Sequence, residues 1–222
     1  HTNIGVTGVQ TCALPISFGG TAQVHMTLHD NQGRSLSVEY IDGALQLKDN
    51  PTGVYTNNPP LSFHLARVGD FANMSANPAP TLQAGGTALP ASSSGEGLNG
   101  LPGDFLSSSR FVQAFTFSRL APTNLTTQQQ VGTAFRILGQ FNLPPGSIGL
   151  PVGSAYGGAN NAASYEITEW TVVADMKNLV YYVSTYDNPD LRSLRFDQLP
   201  LAGGQVKTMP LDQRPQITIL KP

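Results

Sequence analysis

Apolar and polar side chains alternate along residues 22–48, and such alternation is typical of half-buried β-strands. The alternation is interrupted at residues 30–33, which have the composition of a turn, and at Asp42–Gly43, a pair that favours a tight hairpin. We therefore predict an antiparallel meander of three strands, each with one buried face.

The same pattern returns at residues 168–196, where three further strands are predicted. Turns at residues 177–178 and 187–190 separate them, because the first segment contains an Asn and the second contains Asn, Asp and Pro, residues that turns favour. The third strand carries two charged residues, Arg192 and Arg195, as is usual at the edge of a sheet. A last short strand is predicted at residues 216–220.

Between the two strand regions, apolar residues recur at helical spacing. Residues 61–71 are expected to form a short helical segment with one apolar face. A longer helix follows the turn at residues 102–103, and Asp104 and the serines at 107–109 are expected to cap its start. Another begins at Asn124 or Thr126 and ends before Pro144. The order of three strands, two helical segments and three strands predicts an α+β protein with two antiparallel sheets.

Residues 72–100 and 146–164 lack any period and are rich in small residues and proline, so we predict loops there. A long loop in a compact domain is often the wall or lid of a pocket, which makes residues 72–100 a candidate for such a wall.

The composition excludes several kinds of function. The chain has 222 residues, of which 12% are charged, and its net charge is −2. There is no basic field to attract nucleic acid or an anionic membrane surface, and no apolar run approaches the ~20 residues of a membrane span. The single cysteine, Cys12, allows no intrachain disulfide. His25 and His29 share a strand face but lack a third ligand, so neither a metal nor another cofactor is predicted.

Residues 1–16 follow none of these patterns and lack the charged start of a signal peptide. Residues 8–16 resemble a translated sequencing-adapter sequence, so we expect residues 1–16 to be a non-native leader. An authentic leader is the alternative. Residues 17–222 then belong to one domain.

Two polar residues are candidates for chemistry. Asn57 lies in a proline-locked corner, where an asparagine either forms a turn or aims its amide into a cleft as an oxyanion donor. Arg110 lies in the first turn of the predicted helix, where the helix dipole gives a cation no benefit. Its head group either reaches solvent or has a function of its own.

Three segments, taken in their order along the chain, resemble a known family. They are residues 53–59, residues 101–111 with Ser-Arg-Phe at their end, and residues 171–188. Together they resemble the choloylglycine hydrolases, which include bile salt hydrolases and penicillin V acylases, from about residue 20 to the end of the chain. The resemblance implies a four-layer αββα sandwich of antiparallel sheets, the fold of N-terminal-nucleophile hydrolases.

The resemblance also implies a chemistry. In this family the thiolate of an N-terminal cysteine attacks a linear amide, while asparagine side chains stabilise the oxyanion and an arginine lies beside the nucleophile. Asn57 and Arg110 fall on that asparagine and that arginine. The expected substrate is a small amide such as a bile salt, penicillin V or an N-acyl-homoserine lactone. A bacterial source, cytoplasmic or periplasmic, and a homotetramer are also implied.

The chain departs from the family pattern at its start. The nucleophilic cysteine, its arginine and aspartate partners and a second asparagine have no counterpart here. Cys12 does not replace the nucleophile, because eleven residues precede it and it has no free α-amine. We therefore expect the chain to be the C-terminal two-thirds of such an enzyme and to be inactive by itself.

Two other functions compete with this interpretation. A serine hydrolase would combine a serine of residues 107–109 with His64 and Asp104, but no Gly-Xaa-Ser-Xaa-Gly elbow surrounds these serines. A non-enzymatic β-rich module for glycans or other ligands would use Arg110 only to bind a carboxylate.

Overall fold

The computed structural model describes residues 25–150, 164–199 and 208–211. These residues divide into two compact units, one before and one after the boundary between Asn124 and Leu125. We call them the amino-terminal and carboxy-terminal units. The predicted leader at residues 1–16, including Cys12, and the predicted strand at residues 216–220 lie outside the described residues.

The amino-terminal unit begins with the predicted three-stranded meander. Strands β1 (Met26–His29), β2 (Ser35–Ile41) and β3 (Ala44–Asp49) pair antiparallel in the order β1-β2-β3. At the second turn Asp42 and Gly43 both have positive φ, 51° and 78°, which is the geometry that a two-residue hairpin with right-handed strand twist requires. The prediction of this turn from sequence is confirmed.

The buried face of β2 is its polar face. Ser37 and Glu39 are buried, whereas Tyr40 is 70% exposed. The apolar side chains of the neighbouring strands are exposed as well: Met26, Leu28, Leu45 and Leu47. Alternation therefore located the strands correctly but did not identify which face is covered. The reason is a hydrogen-bond network on the polar face, where Glu39 accepts from the Tyr55 hydroxyl and from the backbone N–H of Leu61.

Two helices of this unit pack against each other. They are α1 (Leu61–Gly69) and α2 (Ser107–Leu120). Leu61 of α1 and Phe111 and Val112 of α2 are almost completely buried. The other unit contains one further α-helix, so the described residues contain three α-helices. The sequence had indicated two helical segments, and the difference arises because residues 61–69 form a full helix.

Part of the predicted loop at residues 72–100 is regular. Strands β4 (Leu82–Ala84) and β5 (Thr87–Leu89) form a hairpin around Gly85 and Gly86, both at positive φ, and a short 3₁₀ helix spans Glu96–Leu98. The strands are too short for alternation to show, which is why the sequence indicated only a loop here. An open cavity of about 390 Å³ lies between residues 73–80 and 96–99.

The carboxy-terminal unit contains the second predicted sheet. Strands β6 (Gly149–Leu150) and β7 (Ser164–Tyr165) form a separate short pair. Strands β8 (Trp170–Asp175), β9 (Val180–Thr185) and β10 (Arg192–Arg195) form an antiparallel sheet in the order β10-β9-β8. Strand β10 is at the edge of this sheet, as its two arginines predict.

The core of this unit lies between β8 and the helix α3 (Thr127–Gly139). Val131 and Ala134 of the helix are buried, as are Val172 and Val173 of the strand. The helix starts with a capping box between Thr126 and Gln129, so Thr126 rather than Asn124 is the cap. Nowhere in the described part of the chain is a helix long and apolar enough to cross a membrane.

Candidate active site

The candidate site is the corner that connects β3 to α1 in the amino-terminal unit. Asn50 is buried at the end of β3, and its side chain closes the turn that follows: Nδ2 donates to the carbonyl of Val54, and Oδ1 accepts from the backbone N–H and the hydroxyl of Thr52. The chain then turns at Asn58–Pro59, a cis peptide bond, and enters α1. Asn57 lies just before that bond and is exposed.

The two residues singled out from the sequence lie in contact at this corner. Arg110 Nη2 donates a 2.7 Å hydrogen bond to Asn57 Oδ1. The guanidinium is itself oriented by the start of its own helix, since Arg110 Nε donates to the carbonyl of Phe105 over 3.1 Å. The first turn of α2 therefore holds the arginine head group in place against the asparagine.

This contact fixes which way the asparagine amide points. A guanidinium is only a donor, so the atom of Asn57 that faces Arg110 is the oxygen. The remaining polar atom, Nδ2, is a donor of two hydrogens, and within residues 25–150, 164–199 and 208–211 it donates to nothing. A charge-assisted bond to Oδ1 also polarises the amide and strengthens Nδ2–H as a donor. The result is an oriented hydrogen-bond donor on an exposed residue.

The residue before Asn57 is tied to the same helix. The Thr56 hydroxyl donates to the carbonyl of Ser107 over 2.9 Å and accepts from the Ser107 hydroxyl over 3.0 Å. Ser107 and Arg110 are one helical turn apart, so they lie on the same side of α2. Both residues of the corner, Thr56 and Asn57, are thus bound by a single helical face.

The backbone of Asn57 is held by helix α1. His64 is completely buried, and its Nε2 lies 3.0 Å from the carbonyl oxygen of Asn57. Its ring is stacked on Phe111 of α2, with the ring centres 4.6 Å apart and the planes 4° from parallel. Burial lowers the pKa of His64, although interactions with the backbone of Asn57 and of Pro59 act in the other direction. The imidazole is therefore neutral near pH 7.

A buried carboxylate supports the corner from the sheet. Glu39 accepts hydrogen bonds from the Tyr55 hydroxyl, from Ser37 and from the backbone N–H of Leu61, the first residue of α1. Burial alone would raise the pKa of Glu39, but these donors, with the charge of Lys48, bring it below the usual value. Burial and the neighbouring carboxylate raise the pKa of Tyr55.

The start of α2 differs from the sequence prediction. Asp104 does bind the helix start, because its Oδ1 accepts from the N–H of Leu106. None of the serines caps the helix, however: the Ser109 hydroxyl donates to Asp104, and the Ser107 hydroxyl donates to Thr56. The hydrogen bonds from Leu106 and Ser109 hold the pKa of Asp104 below its usual range.

The serine hydrolase interpretation does not fit this arrangement. His64 donates to a backbone carbonyl through Nε2, and in the described residues its Nδ1 has no hydrogen-bond partner. Neither Ser107 nor Ser109 is bonded to it. No nucleophile and base are therefore paired here.

Sequence reasoning identified Asn57 and Arg110, which the structure brings together. It considered His64 and Ser107 only as parts of the serine hydrolase alternative, and it gave Thr56 no role. Asn57 and Arg110 could be found from the sequence because each is a polar residue in an unusual position. The contacts of the other three connect positions far apart in sequence, so spacing along one element could not show them. The part of the chain that the structure describes contains no group of three His, Cys, Asp or Glu side chains able to hold a metal ion.

Solved structures identify the class of fold. The chain superposes on a mutant conjugated bile acid hydrolase from Clostridium perfringens with a TM-score of 0.74 and 25% identity, over 94% of this chain and 60% of that protein. It also matches the fold of penicillin V acylase from Agrobacterium tumefaciens, with a TM-score of 0.58 and 23% identity over 81% of this chain and 47% of that protein. The predicted class is confirmed: an α+β hydrolase fold of the N-terminal-nucleophile type, with antiparallel sheets and helices.

The sequence then gives the family. Residues 6–211 match the family model of the linear amide C–N hydrolases, choloylglycine hydrolase family, and the chain belongs to that family. Bile salt hydrolase/transferase from Lactiplantibacillus plantarum is 30% identical over 194 residues, and its counterpart from Clostridium perfringens is 27% identical over 185 residues. These alignments cover 87% and 83% of this chain, but only 56% and 53% of the relatives. The chain thus spans about half the length of the curated relatives it matches.

Proposed function

We propose that Asn57 and Arg110 form part of the active site of an enzyme that hydrolyses a linear amide bond. Asn57 Nδ2 donates to the oxyanion of the tetrahedral intermediate, and Arg110 holds the amide in the orientation that this requires. The observation that supports the proposal is the 2.7 Å hydrogen bond from Arg110 to Asn57 Oδ1, which leaves Nδ2 as the outward donor. Membership of a family of linear amide hydrolases supplies the reaction class.

The reaction follows the scheme that the family resemblance implies. The thiolate of an N-terminal cysteine attacks the amide carbonyl carbon, and the π electrons of the carbonyl move to its oxygen, where Asn57 stabilises the charge. When the intermediate collapses, the C–N bond breaks and the α-ammonium group of the cysteine protonates the departing amine. Water then hydrolyses the thioester and releases the acid. Because Cys12, the one cysteine in the sequence, is not N-terminal, we expect no turnover from these 222 residues alone.

Arg110 has a second effect in this scheme. Its guanidinium carries a fixed positive charge next to Asn57, and the family resemblance implies that the nucleophile lies beside this arginine. A positive charge nearby favours the thiolate over the thiol and lowers the pKa of the nucleophile by about one unit or more. Arg110 therefore acts on the nucleophile through its charge and on the oxyanion donor through its hydrogen bond to Asn57.

The names of the relatives suggest the substrate class. They include bile salt hydrolases and a penicillin V acylase, so we propose a small amide of this kind as substrate, with a conjugated bile salt, penicillin V and an N-acyl-homoserine lactone as the compounds to test. A homotetramer is part of the same proposal. The net charge of −2 gives no reason to expect a nucleic-acid partner.

The test uses the product of the complete open reading frame that contains these residues. Release of the free amine from each compound is measured for the wild type, for Asn57→Ala and for Asn31→Ala, a matched control in the exposed turn between β1 and β2. We expect Asn57→Ala to lower kcat by about 10²–10³ and Asn31→Ala to have no effect. Hydrolysis by Asn57→Ala at the wild-type rate would remove Asn57 from the mechanism. Binding of these compounds by the wild type without any turnover would favour the ligand-binding alternative.

A further inference from the structure

His64 is a buried polar residue that the proposed mechanism does not use. It is fully buried among aromatic rings: Phe111 is stacked on it, and Tyr55 and Phe63 meet it edge to face, with ring centres 6.2 and 6.0 Å away. Its Nδ1 has no hydrogen-bond partner in the described residues. A buried polar atom without a partner costs free energy, and a phenylalanine would fill this aromatic cage without that cost. Packing in the aromatic cage alone therefore does not explain why the residue is a histidine.

The hydrogen bond of Nε2 with the Asn57 carbonyl explains why this residue is a histidine. A carbonyl oxygen only accepts, so Nε2 carries the proton and donates to Asn57 over 3.0 Å. Asn57 is exposed and lies in the corner just before the cis peptide bond of Asn58–Pro59. The hydrogen bond from His64 fixes the peptide plane after Asn57, while Arg110 fixes the end of its side chain.

We infer that His64 is a positioning residue for the oxyanion donor. This rests on the proposed role of Asn57 and extends it: Arg110 sets the direction of the amide, and His64 sets the backbone from which the amide extends. The imidazole itself touches neither substrate nor nucleophile. Its ring is stacked on Phe111, the residue next to Arg110, so both supports of Asn57 depend on the position of helix α2. A shift of about 1 Å in a catalytic group commonly costs as much as 10²-fold in rate, so both supports matter for turnover.

Two substitutions separate positioning from packing. His64→Phe keeps an aromatic ring between Phe111 and Phe63 but removes the donor to Asn57. His64→Gln removes the ring but places an amide N–H about where Nε2 lies. In the full-length enzyme we expect His64→Phe to unfold at or above the wild-type temperature, while kcat falls by about tenfold or more and KM stays within about twofold. We expect His64→Gln to keep kcat within about threefold of the wild type, even with a lower unfolding temperature.

Two results would overturn the inference. One is a folded His64→Phe enzyme with the wild-type kcat. The other is a parallel loss of stability and activity in both variants, which is what a purely structural histidine would give. NMR of the ¹⁵N-histidine-labelled wild type decides the case if His64→Phe does not fold: the neutral tautomer with the proton on Nε2 supports the inference, and a proton on Nδ1 overturns it. The proposed function fails by a different result, which is full activity of the Asn57→Ala enzyme. That result does not depend on the activity of the His64 variants.

Discussion

Nη2 of Arg110 and Oδ1 of Asn57 form a 2.7 Å hydrogen bond although the residues are 53 positions apart. One comes from the first turn of α2 and the other from the corner before α1. Neither residue is unusual by itself, since asparagines favour corners and arginines favour surfaces. Their contact turns an exposed side chain into an oriented donor, which is the property that an oxyanion hole needs.

Arg110 is expected to affect the nucleophile as well as Asn57. Replacing it by Gln removes the charge, so the thiolate loses its stabilisation and the pKa of the nucleophilic cysteine should rise by about one unit. The rate of thiol alkylation, followed against pH in the full-length enzyme, measures that pKa. Arg67→Gln is the matched control, because Arg67 pairs with Asp70 on an exposed part of α1. An unchanged alkylation profile in Arg110→Gln would show that the arginine only orients Asn57.

Glu39 should make the stability of the amino-terminal unit depend on pH. Its pKa is lowered in the folded state, so it stabilises the fold above its unfolded pKa of about 4.3, and this contribution is lost as pH falls through the lower folded value. Glu39→Gln removes the charge that accepts from Tyr55 and from the start of α1. We expect a loss of about 1–3 kcal/mol in the free energy of unfolding at pH 7.

Urea unfolding at several pH values checks this expectation. The difference between wild type and Glu39→Gln should shrink as the solution is made more acidic, because the wild-type carboxylate then takes up a proton. A difference that stays constant down to the most acidic pH at which the protein folds would mean that the charge of Glu39 contributes nothing.

The capping box of α3 gives a prediction for the carboxy-terminal unit. Thr126 accepts from the backbone N–H of Gln129, and the Gln129 side chain accepts from the backbone N–H of Thr126. Thr126→Ala should cost about 1 kcal/mol, since it leaves a helix-start amide without its acceptor. Thr127→Ala, the same substitution one residue further along, is the control because Thr127 is exposed and inside the helix. Equal urea midpoints for the two variants would exclude a role for the cap.

Sequence patterns predicted most of the regular structure. The hairpin at Asp42–Gly43 and the start of α3 at Thr126 follow from local chemistry: a pair of residues that tolerates positive φ, and a hydroxyl three residues before a glutamine. Both signals depend only on neighbours in sequence. The family resemblance added the fold class, which the solved structures confirm.

Features that depend on distant residues were not predictable in this way. Alternation could not show that the polar face of β2 is the buried one, since that depends on Glu39 meeting Tyr55 and the start of α1. The expected serine caps of α2 failed for a similar reason: Ser107 has a better partner in Thr56, 51 positions away. The contact of His64 with Asn57 was not predictable either, because its partner is the backbone of another segment.

The substitution Asn57→Asp tests the oxyanion role of Asn57 most directly. Aspartate has the same shape and binds Arg110 at least as strongly, but its carboxylate donates no hydrogen bond and places a negative charge where the oxyanion forms. In the full-length enzyme we predict that kcat/KM for amide hydrolysis falls by about 10²–10³ or more, with an unfolding temperature no lower than that of the wild type. A kcat/KM within about threefold of the wild type would contradict the assignment of Asn57 as the oxyanion donor.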